Sequence, residues 1–274
     1  MGIQSFFKAT PGEPGWAFTP EQYLDKEFKL IDANTIEIKQ ESSDNFILRQ
    51  EPTEKELLAK HLKIDVGENS TVDIAIINET PSNVQQIFIY DIRVREGSHI
   101  NFGMFAKGGK LNKHIIQVIL DDGANFNSYG HIQNSCGGDT EFISKIEHRG
   151  SFSISNQFYT AESGKDSQTV FQSLIHINKN VKYGQVGIEN VNLINEPTGC
   201  CHTLPEIYNL SDSFKVTTGT STDILDLERV YYLQTRGMKQ LAAENFLIRS
   251  HRHQVLNLIQ LPELKEEIEQ ILLS

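Results

Sequence analysis

Cysteine is scarce in this chain: Cys136, Cys200 and Cys201 are all that its 274 residues hold. Three cannot form a disulfide framework, so a reducing compartment is expected. No stretch approaches the roughly 18 consecutive apolar residues of a membrane helix. Basic residues are also few, 25 Lys and Arg against 36 Asp and Glu, for a formal net charge of −11. Such a balance excludes general nucleic-acid binding and anionic-membrane binding, because phosphate recognition needs a basic surface. Glycine-rich phosphate loops are missing. Gly103 and Gly108-Gly109 do not fit G-x-x-x-x-G-K-[ST], so any ATP use is expected from a partner. The start, Met1 to Trp16, lacks the basic-then-apolar pattern of a secretory leader, and Phe6 stands where a myristoylation signal prefers Ser or Thr. These absences predict a soluble, cytoplasmic protein with no membrane or nucleic-acid partner.

What is present is a repeat. From Ile64 the apolar residues alternate, and the alternating runs are broken by polar triplets centred on Asn69, Gly97, Gly123, Gly150, Asn180 and Asp212. The intervals between these centres are 28, 26, 27, 30 and 32 residues. A period of this size made only of strands and turns is the signature of a solenoid, in which each coil buries its inner face on the next. No strong helix separates the strands, which excludes a doubly wound βαβ sheet. A β-sandwich with similarly spaced turns is the competing architecture, and the regular period with no clear two-residue hairpin favours coils. A Gly or Asn is expected at each corner that requires φ > 0.

The flanks read differently. Residues 1–63 are expected to form an N-terminal cap segment, with a short helix opening at Pro20–Leu24, strands at Thr35–Ile38 and Phe46–Leu48, and a helix at Glu51–His61. Residues 64–222 make the β-helix core, and residues 223–274 a C-terminal helical segment. In that segment, a first helix begins at Asp226 and ends near Arg236-Gly237, with Leu227, Val230 and Tyr231 as its expected buried face. A second continues from Lys239 to about Ile259, and Pro262 opens a third with the stripe Leu264, Ile268, Ile271 and Leu272. The same stripes would serve equally to pack on the solenoid or to receive a partner.

Cys200-Cys201-His202 is the one Cys/His cluster. Thiolate and imidazole ligate iron–sulfur clusters, zinc and copper(I). Adjacent strand residues point to opposite faces, so the two cysteines are a poor chelate by themselves. A four-ligand site needs Cys136, another part of the fold or a second protomer. A purely structural thiol pair fits the same residues. A cysteine nucleophile with His148, His176 or His202 as base has no supporting spacing. His148 and His176 lie in alternating strands where structural histidines are the commoner outcome, and His251 and His253 read as a solvated helix face. Asp121-Asp122 and Glu206 could serve polysaccharide cleavage, but Asp121-Asp122 precedes a corner glycine and reads as turn chemistry.

The junction also carries a resemblance. His202-Thr203-Leu204-Pro205 looks like a His-Thr-Phe-Pro element, and Leu227 to Gly237 is similar to a Leu-Phe-Tyr-x-x-x-Arg-Gly signature. Ala242–Leu247 and Leu261–Leu264 look like the C-terminal helices of the same proteins. On these residues the chain resembles the SufB/SufD family, scaffold subunits of iron–sulfur cluster assembly, over about residues 64 to 274. The resemblance implies a right-handed parallel β-helix, mainly β, with C-terminal α-helices. It implies a non-catalytic scaffold that docks a SufC-like ABC ATPase through those helices. It also implies a homodimer or heterodimer with a SufB/SufD-like chain through the last β-helix strands, Phe214 to Thr218 gaining a partner. ATP-driven closure of the bound ATPase would then twist the dimer and open its interface. A transient iron–sulfur cluster is implied there, with Cys200, Cys201 and His202 as leading ligands and Cys136 as a weaker one. The resemblance departs at two places: Gly199 stands where the SufB-type cysteine falls, and Thr218-Gly219 where a His-Glu pair, or a SufD histidine, falls. A pseudo-scaffold that keeps the dimer and ATPase contacts but binds no cluster is one alternative. A β-helix carbohydrate-active enzyme is the other.

Overall fold

The computed structural model describes residues 33–50, 57–259 and 262–273. Within them fourteen strands alternate between two sheets. One sheet stacks, in order, β1 (Ala33–Ile38), β3 (Leu57–Val66), β5 (Gln85–Val94), β7 (Leu111–Leu120), β9 (Asp139–His148), β11 (Gln168–Ile177) and β13 (Cys200–Asn209). The other stacks β2 (Ser43–Gln50), β4 (Thr71–Thr80), β6 (His99–Gly108), β8 (Asn125–Cys136), β10 (Ile154–Lys165), β12 (Gln185–Ile194) and β14 (Lys215–Ile224). Every pairing is parallel, which no antiparallel sandwich can give. The chain is therefore a parallel β-solenoid of about six turns, each coil one strand from either sheet. Successive rungs are offset by 26 residues where Gln85 pairs with Leu111, and by 32 where Gln168 pairs with Cys200.

Alternation dictates the core. Ile64, Ile92, Val118, Ile146 and Ile175 from one sheet meet Ile74, Phe102, Phe126 and Val186 from the other, all buried. Each such side chain contributes about 1.5–3 kcal/mol on burial. Phe142 stacks on Phe171 at 5.6 Å and packs tilted against Tyr159 at 4.3 Å, so rings from consecutive coils meet in one cluster.

The corners correct one expectation. Asn69, Gly97 and Gly123 have positive φ as expected, but the next two such corner residues are Phe152 (φ 60°) and Tyr183 (φ 58°), not Gly150 and Asn180. Gly150 is needed for a different reason: a Cβ there would lie 2.0 Å from the Asp121 carbonyl carbon and the Asp122 nitrogen. Phe152 and Tyr183 stack on each other at 5.5 Å, both largely exposed.

The N-terminal expectation is corrected as well. Residues 57–61, expected as part of a helix, are the start of β3, and the solenoid begins upstream of Ile64, with β1 paired to β3 and β2 to β4. Glu, Lys and Leu favour a helix by only tenths of a kcal/mol each. Burying Leu58, Ile64 and Val66 at a spacing of two or a multiple of two outweighs that severalfold. The expected helix at 20–24 and residues 51–56 lie outside the described residues.

Three helices follow: α1 (Leu227–Thr235), α2 (Gln240–Leu256) and α3 (Pro262–Leu273). Asp226 caps α1, accepting from the Glu228 and Arg229 amides at 2.9 and 3.2 Å, and Gly237 closes it at φ 96°. The C-terminal half of α2 and α3 cover the outer face of the even-numbered sheet, where Val255, Leu256, Ile268 and Leu272 pack on Ala75, Ile77, Phe105 and Tyr129. Arg49 of β2 pairs with Glu267 of α3, fixing the far end. The expected buried face of α1 is only partly found. Val230 is buried, but Leu227 and Tyr231 are 70% and 68% exposed, since α1 packs mainly on α2.

Candidate functional site

The solenoid ends on β13 in one sheet and β14 in the other, each an edge strand among the described residues. All ten residues of β14 are exposed. Its Thr-rich sequence, KVTTGTSTDI, offers main-chain N–H and C=O groups that no strand among the described residues takes up on the outer side. Gly219 sits on that edge with open space around any added Cβ, so no packing requires a glycine there.

Cys200, Cys201 and His202 open β13. Residues two apart on a strand share a face, and the Cys200 Sγ and His202 Nε2 lie 3.3 Å apart on the outer side. Cys201 points the other way, to the inner side, where Ser163 lies. Burial pushes the Cys201 thiol up to about 12, with Cys200 and Glu162 adding to the rise and Ser163 opposing it. At neutral pH Cys201 is therefore a protonated, weakly nucleophilic thiol. The Cys200 amide is held twice, donating to the Ser167 carbonyl at 2.9 Å and to the Ser163 hydroxyl at 3.1 Å.

The triplet thus divides into an outer thiol–imidazole pair and an inner thiol. Two donors of the right chemistry for iron meet on one face, and among the described residues no group of three or more His, Cys, Asp or Glu converges on a metal position. Cys136 ends β8, where its backbone pairs with Lys165, in the other sheet from β13; its side chain lies outside the described residues.

The other sequence candidates have structural partners. His148 is buried between two serines. Ser153 donates its single proton to the Gly150 carbonyl, so the His148 Nδ1 donates to Ser153 at 2.8 Å and Nε2 accepts from Ser155 at 2.9 Å. Burial pushes its pKa down to about 3. Asp121 pairs with Arg93 and the Asp122 side chain accepts the Ser151 amide, both corner roles. Glu206 accepts from Gln172 at 3.2 Å. His253 is exposed as expected, but His251 is not: it is buried and donates from Nε2 to the Ala161 carbonyl at 3.2 Å.

Sequence reasoning missed the most elaborate polar cluster. Glu162 of β10 is 1% exposed and accepts from Arg252 of α2 at 2.7 Å (Nε) and 2.9 Å (Nη2). His131 Nε2 stands 3.4 Å from one carboxylate oxygen, and the Asn195 amide donates to the other at 3.3 Å. Burial pushes the Glu162 carboxyl up, but His131 and Arg252 outweigh it and hold it down at about 2. A separate groove of about 580 Å³ crosses the outer face of the even-numbered sheet, from Asn101, Asn127 and Asn156 past Tyr129 and Phe158 to Thr217–Gly219. It lies on the other sheet from Cys200.

The fold is an open-ended parallel solenoid that presents a thiol and an imidazole on its last coil, beside an exposed edge strand. The chain belongs to the SufBD family: residues 23–251 match the SUF system FeS cluster assembly, SufBD core domain. It is also similar to an iron–sulfur cluster assembly SufBD family protein of Synechocystis sp., at 23% identity over 166 residues. That match covers 60% of this chain and 36% of the relative, so the chain spans about a third of that protein's length. Among the described residues no helix is long and apolar enough to cross a membrane.

Proposed function

We propose that this chain is a non-catalytic scaffold of iron–sulfur cluster assembly whose substrate, a nascent cluster, is received on the terminal coil. The observation that carries this reading is the coincidence on that coil of the Cys200–His202 pair with the unpaired β14 edge. One chain supplies two donors on the outer face; a second SufB/SufD-like chain, identical or not, supplies the rest by pairing along β14. That pairing also occupies the open main-chain groups of the edge. A SufC-like ABC ATPase docks on the helices, where Leu227, Tyr231, Tyr232, Leu241 and Phe246 leave apolar surface uncovered beside α1 and α2. Patches of this kind on a helical surface mark partner sites. ATP-driven closure of two such ATPases would twist the paired scaffold and open the interface to the cluster.

Anaerobic iron–sulfur reconstitution of the purified protein, with visible absorption and iron counting, tests this beside a Cys200→Ala/Cys201→Ala variant. A cluster in the wild type that is lost in the variant supports a scaffold with displaced ligands. A cluster that survives the double change sinks the assignment to β13.

A second reading is a pseudo-scaffold that retains partner contacts and holds no cluster. Thr218 and Gly219, where the resemblance calls for His and Glu, favour it, since neither side chain can ligate iron as an imidazole or carboxylate would. No cluster in either protein, with the ATPase still captured, would select it.

A further inference from the structure

One three-residue stretch of β10, Ala161-Glu162-Ser163, touches both the helices and the thiol strand. On its outer side α2 grips it with two consecutive residues. His251 donates to the Ala161 carbonyl at 3.2 Å, and Arg252 places both arms of its guanidinium on the Glu162 carboxylate. Arg252 also donates to the Leu272 carbonyl, tying in α3. On the inner side the Ser163 hydroxyl accepts the Cys200 amide at 3.1 Å, which holds the backbone between the two cysteines. Asn195, in the connection leading to β13, closes the circuit: its amide nitrogen donates to the Ser163 carbonyl at 2.9 Å and its side chain to Glu162 at 3.3 Å.

A buried fork-to-fork ion pair is a costly way to attach a helix, because both ions lose their water and an apolar pair of similar volume would hold as well or better. What the fork adds is geometry: two parallel hydrogen bonds fix the helix in angle and in register, which sliding apolar contacts do not. Strand alternation then sends the next side chain, Ser163, to the opposite face and onto the cysteines.

We infer that Arg252 and Glu162 are positioning residues for the thiol strand: their ion pair sets the seat of α2 on Ala161–Ser163, and Ser163 passes that position to Cys200 and Cys201. About two and three turns upstream, the same helix exposes Phe246 and Leu241. A partner that levers α2 there moves the thiols, a consequence that rests on the docking reading above.

The test uses the reduced full chain alone, without iron or ATPase. Alkylation by iodoacetamide is followed by mass spectrometry that resolves Cys200 from Cys201. Glu162→Gln/Arg252→Met removes the fork without leaving an unpaired buried charge. Arg252→Lys keeps the charge and loses the fork, and carries the test should the double variant fail to fold. Ile268→Ala loosens the helical pack without touching the ion pair. The expected result is Cys201 alkylation about tenfold faster in the double variant and severalfold faster in Arg252→Lys, with Ile268→Ala at the wild-type rate. An unchanged Cys201 rate in both fork variants overturns the inference, as does equal acceleration by Ile268→Ala. Neither outcome depends on cluster binding, so failure of the scaffold reading would be seen separately, in reconstitution.

Discussion

The Sγ of Cys200 and the Nε2 of His202 face each other across 3.3 Å on the outer side of the last strand of their sheet, while Cys201 between them points inward. The two thiols are therefore unequal, and iron binding should divide them. Cys200→Ser is expected to abolish reconstituted iron, His202→Asn to lower it, and Cys201→Ser to leave most of it. Iron counting on the three single variants decides this. Equal loss from Cys200→Ser and Cys201→Ser would mean that the strand rearranges on loading.

Gly219 has room for a side chain, and Thr218 beside it is exposed. Thr218→His/Gly219→Glu is thus expected to fold as the wild type does and to hold more iron after reconstitution. Unchanged iron in a folded variant would show that the β14 edge lies away from the cluster.

Acid should remove stability over two pH ranges. Burial holds His114 and His148 down at about 3 and His251 at about 4, against an ordinary 6.5. The unfolded chain takes up these protons first, so their contribution is complete above about pH 6.5 and is lost as pH falls below it. Glu162, held at about 2 against an ordinary 4.5, adds stability present above about pH 4.5 and lost below. Urea midpoints measured from pH 7.5 to pH 4, values chosen to bracket the histidine range, should fall steadily, and His148→Asn should flatten the upper part of that slope. A flat profile down to pH 5, set by the same reasoning, would mean that these rings are solvated.

The exposed helix side should separate folding from partnership. Tyr231 and Phe246 are 68% and 55% exposed, so Tyr231→Asp and Phe246→Asp are expected to change stability by no more than about 0.5 kcal/mol. The same variants are expected to lose a SufC-like ATPase in pull-down. Retained capture would move the docking site off α1 and α2.

Phe152 and Tyr183 hold positive φ, a cost of about 1–3 kcal/mol each for bulky residues. Their stacking returns about 0.5–1.5 kcal/mol at most, less when exposed. Phe152→Asn/Tyr183→Asn should therefore stabilise the fold by about 1 kcal/mol in denaturant titration. Destabilisation would show that the aromatic stack outweighs the backbone strain.

Much of the fold could be read from the chain because its signals are local. Asn69, Gly97 and Gly123 mark corners by the φ they tolerate, Asp226 and Gly237 mark the ends of α1, and Pro262 opens α3. The Cys200–His202 pair follows from alternation alone. Residues 57–61 misled because their composition favours helix, while the burial that overrides it comes from β1 and β5, neighbours in space. Phe152 and Tyr183 carry no local sign of positive φ; their corners are inherited from the coil beneath. The Glu162–Arg252 pair joins residues 90 apart, and Arg249-Ser250-His251-Arg252-His253 looks like any solvated helix until the sheet is placed under it. The bare side of α1 was illegible for a related reason: an apolar stripe does not say whether the surface that covers it belongs to the same molecule.

Because every coil takes its register from the one before, nothing in the lattice of rungs measures its own length. A whole coil of about 28 residues could be duplicated or deleted from the middle, between β5 and β8 for instance, and the ladder would still close in step. Cys200 and Ser163 belong to the final coils and would travel with them, whereas the contacts of α2 and α3 with Ala75, Ile77, Phe105 and Arg49 would have to be remade. The chemistry of this chain is addressed by counting backwards from its last rung, while the helices laid across the even-numbered sheet as far as Arg49 act as the ruler that the rungs themselves lack.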